Sequence, residues 1–167
     1  MTAYAVDQEG HTSSAEGPLL LCYDGSENAG YAIQRAGALF AGRNALVLTV
    51  WHPTVPPDSL GFETAGMVDD CLDFGRAAAE DGERVADDGV RVAREAGLNA
   101  EPVAVEATEP VWKVIVEIAD RDDVATIVLG SRGLTGLKSM LLGSVSRAVV
   151  QHADRPALVV RQPVTHA

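Results

Sequence analysis

A glycine-punctuated loop, residues 130–144, holds the residue types in this chain that suit phosphate chemistry. It reads Gly-Ser-Arg-Gly-Leu-Thr-Gly-Leu-Lys-Ser-Met-Leu-Leu-Gly-Ser and separates an apolar run from a helical pattern. Glycines in such a position let main-chain amides approach a ligand closely, and the helix start that follows adds partial positive charge. The loop contains Arg132 and Lys138, and no acidic residue occurs between Asp123 and Asp154 in a chain of net charge -11. These features together predict a site for a small phosphate-bearing ligand.

Two widespread phosphate-binding motifs do not fit this loop. A P-loop requires a lysine directly after its last glycine, whereas Leu137 separates Gly136 from Lys138. The dinucleotide fingerprint Gly-x-Gly-x-x-Gly also fails, because Gly130 and Gly133 are too far apart and the loop follows a late strand. The sequence therefore gives little support for a Walker-type NTPase or for hydride transfer.

The composition fits one acidic globular domain. The chain has 167 residues, of which 47% are hydrophobic, so it is long enough to bury a sizeable core. A net charge of -11 argues against nucleic acid as a partner, because duplex binding depends on neutralising phosphates with lysine and arginine. A small anion held by directed main-chain amides stays compatible with this charge, since local geometry can outweigh net charge.

The sequence predicts neither a membrane protein nor an oxidising compartment. The stretch through Gly17 has no basic start and no apolar segment, and no apolar run approaches the roughly 20 residues that span a bilayer. Cys22 and Cys71 lack the spacing of a metal site or a redox dithiol, and Cys22 is expected to be a buried thiol. We therefore expect a soluble cytoplasmic protein without a membrane anchor.

Alternating apolar runs and helical patterns predict an α/β fold. Residues 1–16 are small and polar without periodicity and are expected to form a flexible arm. The apolar runs that follow predict strands at residues 19–23, 45–51, 102–105, 126–129 and 157–160. Helical patterns separate these runs, so we expect an open five-stranded parallel sheet with helices on both faces and right-handed crossovers.

Four helices are expected to cover this sheet. The first follows Ser26 and ends at Gly42, the second extends from about Phe62 to Gly97, the third starts near Thr108 with Pro110 in its first turn, and the fourth starts near Ser144. Along the second helix Gly75, Gly82 and Gly89 recur on the inner stripe, although each weakens an isolated helix by about 1 kcal/mol relative to alanine. Their recurrence predicts close packing rather than ligand contact.

Two predicted strand ends carry unusual residues. The first strand leads into Asp24-Gly25-Ser26, and the fourth leads into the glycine loop. Ligands of open parallel sheets bind beyond the carboxyl ends of the strands, where the strand order reverses. If these two strands are neighbours there, Asp24 and the loop face one crevice. The alternatives are that Asp24 is a helix cap or Asx turn, and that Gly130 and Gly133 form a plain tight turn.

The loop matches the spacing Gly-x-x-Gly-x9-Gly-Ser/Thr at every defined position, with Gly130, Gly133, Gly143 and Ser144. With Asp24 after the first strand and the closing run Pro-Ala-Leu-Val-Val-Arg, the chain closely resembles the universal stress protein family. The resemblance covers residues 17–162. It leaves residues 1–16 as an N-terminal arm and residues 163–167 as a C-terminal tail.

This resemblance implies a fold, a ligand and an assembly. The implied fold is the adenine-nucleotide alpha hydrolase-like, Rossmann-like sheet of the ATP-binding subclass, commonly dimeric through the last strand. The implied ligand is ATP, with or without Mg²⁺. The implied role is that of a nucleotide-dependent regulatory or stress-response protein, in which ATP occupancy changes the binding of a partner.

Carried over residue by residue, the resemblance assigns three groups of contacts. Asp24 and the main chain of Val50 would hold the adenosine part, Gly130 and Gly133 would border the ribose and phosphates, and Gly143, Ser144 and Val145 would grip the phosphates. Tyr23, next to Asp24, is counted as a further binding residue. The residues themselves support the last group, because a helix start favours an anion and a serine adds a hydroxyl. Arg132 is either a further phosphate contact or a solvated or ion-paired arginine.

Catalysis has weaker support in the sequence than binding. The chain has no Gly-x-Ser-x-Gly nucleophile motif, and His52 is the one histidine expected near the strand ends. Asp24 is a single carboxylate, which does not define a metal site, so no catalytic residue and no metal ligand is assigned. A slow ATPase or phosphotransferase, and an interaction module that binds another adenine nucleotide, stay open as alternatives.

Overall fold

A computed structural model describes residues 4–6, 12–14, 16–52, 66–133 and 142–163 of the chain, with side chains described from residue 16 onward except at 66–74. The described elements are β1 (Tyr4–Val6), β2 (Thr12–Ser14), β3 (Leu19–Cys22), α1 (Glu27–Leu39), β4 (Asn44–Trp51), α2 (Gly66–Glu95), β5 (Asn99–Glu106), α3 (Val111–Arg121), β6 (Thr126–Gly130), α4 (Ser144–His152) and β7 (Ala157–Val160). The strands and helices alternate from β3 onward, as the sequence predicts.

Five of the strands form one parallel sheet in the order β5-β4-β3-β6-β7. Leu19 of the central strand β3 lies opposite Ala45 of β4 on one side and Thr126 of β6 on the other. The chain builds outward from β3 to β5 and then crosses back to β6, so the strand order reverses between β3 and β6. The open parallel sheet is confirmed, and so is the adjacency of its first and fourth predicted strands.

Each face of the sheet buries its own apolar cluster. Successive residues of a strand point to opposite faces, so Leu19 and Leu21 join the cluster beneath α1 and α2, and Leu20 joins the cluster beneath α3 and α4. All three leucines are at most 1% exposed. Burying each of them stabilises the fold by roughly 1.5–3 kcal/mol. A continuous apolar run is what β3 requires, because helices cover both of its faces.

Helix α3 begins later than the sequence predicts. It starts at Val111, and Pro110 is its N-cap with φ -53° and ψ 136°. The residue before a proline is disfavoured in the helical region, and Pro110 itself has an extended ψ, so no helical turn forms ahead of it. The predicted start near Thr108, with Pro110 inside the first turn, is therefore wrong.

The small residues of α2 bring that helix close to the sheet at two of three predicted positions. A Cβ on Gly82 would lie 2.5 Å from the ring of Trp51, and a Cβ on Gly89 would lie 2.6 Å from the ring of Tyr23. The predicted packing role is confirmed for both glycines. For Gly75 it stays a prediction, since none of the described atoms would lie within 4 Å of its Cβ. The expected helix start at Phe62 lies outside the described residues.

The amino-terminal segment contains a short antiparallel pair. β1 and β2 lie side by side with Tyr4 opposite Ser14 and Val6 opposite Thr12. Strands of three residues are too short to show a clear period, which is why the sequence predicts none here. The flexibility of residues 1–16, and the domain limits at 17 and 162, stay predictions. Within the described part of the chain, every helix is too short or too polar to span a bilayer.

Candidate functional site

A cleft of about 440 Å³ opens at the carboxyl ends of β3, β4 and β6, beside the starts of α3 and α4. This is the switch point of the sheet, where ligands of open α/β folds bind. The cleft is lined by Cys22, Tyr23, Asp24, Ala29, Leu48, Val50, His52, Val111, Ile115, Leu129, Gly130, Arg132, Gly133, Gly143, Ser144, Val145 and Ser146. All nine residues predicted for the site are among them, so the fold brings the predicted set together.

Asp24 lies in the turn before helix α1, and this turn contains Ser26, the N-cap residue of the helix. One carboxylate oxygen, Oδ1, accepts the N–H of Ser26 at 3.0 Å, and the Ser26 hydroxyl accepts the N–H of Ala29 at 3.2 Å. Gly25 between them has φ +80°, a conformation that glycine adopts without strain. The Asx turn considered for Asp24 is therefore present. It engages Oδ1, while the same carboxylate lines the cleft.

Two glycines of the loop are needed because other groups lie against them. A Cβ on Gly133 would lie 2.7 Å from Oδ2 of Asp24. A Cβ on Gly130 would lie 3.0 Å from the main-chain carbonyl of Asn28 at the start of α1. The loop that follows β6 thus packs directly on the turn that follows β3. The alternative of an isolated tight turn does not describe these two glycines.

The main chain of Ser131 ties the two ends of the glycine loop together. Its carbonyl accepts the N–H of Gly143 at 2.7 Å and lies 3.5 Å from the hydroxyl of Ser146. Its own N–H donates to the carbonyl of Val160 at the end of β7, at 2.8 Å. Ser131 and Ser146 are both buried. The start of α4 is therefore held against the end of β6 at a fixed distance.

Helix α4 presents an uncapped amino terminus to the cleft. Its N-cap is Gly143, which has no side chain to accept an N–H of the first turn. The amides of Ser144 and Val145, in that first turn, therefore lie at the positive end of a helix dipole without a side-chain acceptor from the cap. Helix α1 differs, because Ser26 accepts its first-turn amide. Of these two helix starts, α4 is the one suited to an anion.

Arg132 is the described cation of the loop. It is half-buried and lines the cleft between the two halves of the glycine motif. Lys138, the second cation that the sequence places in the loop, and Gly136 lie outside the described residues. Arg132 thus adds positive charge close to the start of α4, where an anion is favoured.

The main chain of Val50 faces the gap left where β3 ends. Successive strand residues direct their main-chain groups to opposite sides, and the carbonyl of Trp51 points to β5, where it accepts the N–H of Ala107 at 2.7 Å. Val50 therefore directs its N–H and C=O toward β3. That strand has ended at Cys22, opposite Leu48. The main-chain groups of Val50 consequently open onto the cleft.

Tyr23 reaches away from the cleft into the packing of α2. Its ring is 7% exposed and contacts Gly89, and its hydroxyl donates to Asp88 at 2.9 Å. Burial, followed by the hydrogen bond to Asp88, raises the pKa of Tyr23 to about 12. Hydrogen bonds from Arg91 and then Tyr23 lower the pKa of the Asp88 carboxyl. Tyr23 is thus a neutral donor anchored on α2, which leaves its main chain for the cleft.

Eight lining residues are absent from the predicted set: Cys22, Ala29, Leu48, His52, Val111, Ile115, Leu129 and Ser146. Most are apolar and belong to strands or helices whose pattern reports burial, so their sequence signal is that of the core. The six apolar ones, all but His52 and Ser146, give the cleft an apolar lining, which suits a flat ring system. Burial, followed by the charge of Asp24, raises the pKa of the Cys22 thiol to about 12, so this thiol stays protonated.

A second cleft, of about 500 Å³, lies at the amino-terminal ends of the strands, on the opposite edge of the sheet from the first cleft. It is lined by Pro18, Asn44, Ala45, Leu46, Arg94, Asn99, Ala100 and Glu101. These residues come from strand beginnings and from the last turn of α2. Although this cleft is slightly larger, it has neither a helix amino terminus nor a glycine loop, so the switch-point cleft is the better candidate site.

The cleft does not contain a recognisable metal centre. Within the described residues, histidine, cysteine, aspartate and glutamate side chains nowhere cluster in threes as metal ligands would. Asp24 is the carboxylate of the cleft, and its Oδ1 already accepts the N–H of Ser26. A divalent ion here would need its other ligands from a bound phosphate ligand or from water.

The fold and the cleft place the chain among open-sheet α/β domains with a cleft at the switch point. The chain belongs to the universal stress protein family, because the model of that family matches residues 17–161. The universal stress protein in QAH/OAS sulfhydrylase 3'region of Thermus aquaticus is 36% identical over 145 residues, which is 86% of this chain and 97% of the relative. Universal stress protein YxiE of Bacillus subtilis is 37% identical over 82 residues, 49% of this chain. The chain spans 54% of the length of that second relative.

Solved structures share the fold at lower sequence identity. Hypothetical protein MJ0577 of Methanocaldococcus jannaschii has a TM-score of 0.72 and 22% identity, over 90% of this chain and 99% of that one. A universal stress protein of Archaeoglobus fulgidus in complex with dAMP has a TM-score of 0.58 and 20% identity, over 86% and 96%. A universal stress protein in complex with cAMP has a TM-score of 0.59 and 22% identity, over 89% and 98%. At these identities the likeness establishes the fold.

Proposed function

We propose that this universal stress protein binds ATP in the switch-point cleft and acts as a nucleotide-dependent regulatory protein. The observation that carries the proposal is the uncapped start of α4, which faces a cleft shared with Asp24 and the glycine loop. A helix start whose first-turn amides have no side-chain acceptor attracts an anion, and the apolar lining residues of the cleft offer a surface for a base.

Each predicted residue then has a distinct part in binding. The amides of Ser144 and Val145, with the Ser144 hydroxyl and the Gly143 turn, would hold the phosphates. Gly130 and Gly133 have no side chains, so they would leave room for the ribose and phosphates beside the loop backbone. The cleft volume of about 440 Å³ suits a nucleotide that is only partly enclosed.

The adenosine end depends on groups from β3 and β4. Asp24 has its Oδ2 directed at Gly133, on the path between base and phosphates. The N–H and C=O of Val50 offer a donor and an acceptor side by side, and Tyr23 fixes the end of β3 by its anchor on α2. Arg132 would add charge near the phosphates. Mg²⁺, if present, would join through phosphate oxygens, because Asp24 is one carboxylate.

The complexes of related folds with dAMP and with cAMP support an adenine nucleotide as the ligand class. They also favour a second candidate, in which this chain prefers a monophosphate or a cyclic nucleotide and serves as an interaction module. The two candidates differ in what the start of α4 must hold. A triphosphate uses several first-turn amides, whereas a cyclic phosphate presents one charge.

Calorimetric titration with ATP, AMP, cAMP and GTP tests the proposal. We expect ATP to bind more tightly than AMP and cAMP, because added phosphate charge meets the start of α4 and Arg132. GTP should bind more weakly than ATP. Tightest binding of cAMP would favour the second candidate, and absence of heat with all four nucleotides would overturn the proposed nucleotide site.

Incubation of the purified protein with ATP separates binding from catalysis. Intact ATP after long incubation would agree with binding without turnover, and its hydrolysis would favour the slow ATPase or phosphotransferase.

A homodimer through the last strand is part of the proposal. β7 is an outer strand of the sheet, and all four of its apolar residues are half-buried. The other outer strand, β5, is protected by exposed Glu101 and Pro102. The carbonyls of Pro156 and Val160 point to β6, so Val159 directs its N–H outward. We expect Val159→Pro to yield a folded monomer in sedimentation analysis, and a persistent dimer would contradict pairing through β7. The cytoplasm stays the expected compartment.

A further inference from the structure

Thr49 lies where the hydrogen-bond ladder between β3 and β4 stops. In a parallel ladder that continued by one step, Tyr23 would donate its N–H to Leu48 and accept the N–H of Val50. The first bond is present, from Tyr23 N–H to the carbonyl of Leu48 at 2.9 Å. The second is not formed between these described residues, whose register ends one pair earlier. The carbonyl of Tyr23 accepts the hydroxyl of Thr49 instead, at 3.0 Å.

This hydroxyl is firmly placed. Thr49 is 5% exposed, and its hydrogen bond to Tyr23 is buried. A buried carbonyl requires a partner, and the loss of that partner is unfavourable. Because Thr49 supplies one through its side chain, Tyr23 has no need of the Val50 amide. The last main-chain donor of β4 on this side is therefore kept for the cleft.

We propose that Thr49 is a positioning residue of the cleft, whose hydroxyl caps the end of β3 and thereby keeps the N–H of Val50 available to the base of a nucleotide. The ligand in this inference rests on the proposed function, whereas the capping is a property of the nucleotide-free protein. An N–H beside a C=O complements the N1 acceptor and the exocyclic amino donor of adenine. Guanine presents the opposite order of donor and acceptor. Thr49 thus contributes to selection of the base without contacting it.

Thr49→Val, with Thr49→Ser as its matched control, tests this role. Valine keeps the shape of threonine but has no hydroxyl. The Tyr23 carbonyl should therefore accept a hydrogen bond from the Val50 N–H, which is then no longer available to the base. Calorimetry should give about tenfold weaker binding of both adenosine and ATP, the equivalent of one hydrogen bond. Binding of tripolyphosphate, which needs only the start of α4, should not change. Thr49→Ser should stay within about twofold of the wild type.

Two results of the titrations would overturn the proposal. One is adenosine binding by Thr49→Val at the wild-type affinity. The other is an equal loss for adenosine and tripolyphosphate, which would show a general disturbance of the cleft instead of a lost base contact. Recovery by serine separates the hydroxyl from the methyl group, so a merely structural role for Thr49 would not reproduce the pattern.

Amide hydrogen exchange tests the capping without any ligand. In the nucleotide-free wild type, the Val50 amide should exchange at least tenfold faster than that of Thr49, whose N–H points to β5. In Thr49→Val the Val50 amide should become protected. A protected Val50 amide in the nucleotide-free wild type overturns the proposal even where Thr49→Val does not fold. If the wild type binds no adenine nucleotide, the proposed function fails, and the exchange experiment still decides the role of Thr49.

Discussion

Oδ2 of Asp24 lies only 2.7 Å from the point where a Cβ would stand on Gly133. These residues follow different strands, β3 and β6, which become neighbours only through the crossover of the sheet. The absence of a side chain at Gly133 therefore lets the carboxylate of Asp24, which lines the cleft, lie against the glycine loop. The family motif and the isolated aspartate therefore form one structural unit.

Replacing Gly133 by alanine should weaken ATP binding while leaving the fold intact. The new Cβ would displace the Asp24 carboxylate, and loss of one good contact corresponds to about a tenfold rise in Kd, measured by calorimetry. Gly133 is not among the positive-φ glycines, so the backbone tolerates alanine. The change in unfolding free energy should stay within about 0.5 kcal/mol. Unchanged affinity would show that Asp24 and Gly133 do not meet at the nucleotide.

The glycines of α2 should respond to alanine in opposite directions. Gly82→Ala places a Cβ 2.5 Å from Trp51, and such overpacking lowers the free energy of unfolding by about 1–3 kcal/mol. Gly75→Ala meets no described atom within 4 Å and should raise it by about 0.5–1 kcal/mol through helix propensity. Urea unfolding measures both. A loss of stability in Gly75→Ala would contradict the expected gain in helix propensity.

Alanine variants of Ser26 and Asp24 should show that helix capping and ATP binding depend on different side chains. Ser26→Ala removes the acceptor for the Ala29 amide and should lower the free energy of unfolding by about 1 kcal/mol. Its ATP affinity should stay within about twofold, because the hydroxyl of Ser26 is directed at the helix. Asp24→Ala should instead weaken ATP binding. Parallel denaturation and titration of both variants measure these effects, and equal losses of affinity would argue that Asp24 acts only as a turn former.

Tyr23 should make stability fall at high pH. Its pKa is raised to about 12 in the folded protein by burial and by the hydrogen bond to Asp88, against about 10 in an unfolded chain. A raised pKa contributes stability that is fully present below pH 10 and is lost as pH rises toward 12. Urea midpoints between pH 9 and 11.5 should therefore decrease more steeply in the wild type than in Tyr23→Phe. Parallel curves would mean that Tyr23 ionises equally in both states.

The sheet and the nine site residues could be predicted from the sequence for physical reasons. β3 is buried on both faces, so its apolar run is continuous, and the spacing of Gly130, Gly133, Gly143 and Ser144 can be read directly from the sequence. The edge strand β5 is longer than predicted, because exposed polar Asn99 and Glu101 at its start and Glu106 at its end hide the apolar pattern there. The late start of α3 comes from the backbone of Pro110, which a count of apolar positions does not register.

Other features of the cleft depend on tertiary hydrogen bonds that leave no pattern in the sequence. The carbonyl of Ser131 accepts the N–H of Gly143, and the hydroxyl of Thr49 donates to the carbonyl of Tyr23 at the end of β3. Both bonds join residues from different elements. Threonine in a strand and serine in a loop are common for local reasons, so their types predict nothing about these partners.

Titration of ¹⁵N-labelled protein with ATP, followed by amide chemical shifts, tests directly whether ATP binds in the switch-point cleft. We expect saturable shifts of the Ser144 and Val145 amides at the start of α4, and of the Val50 amide beside the base. The amides of Asn99 and Glu101, at the opposite edge of the sheet, should keep their positions. Saturable shifts confined to that opposite edge, or no shift at Ser144 and Val145 with ATP in excess, would contradict an ATP site in the switch-point cleft.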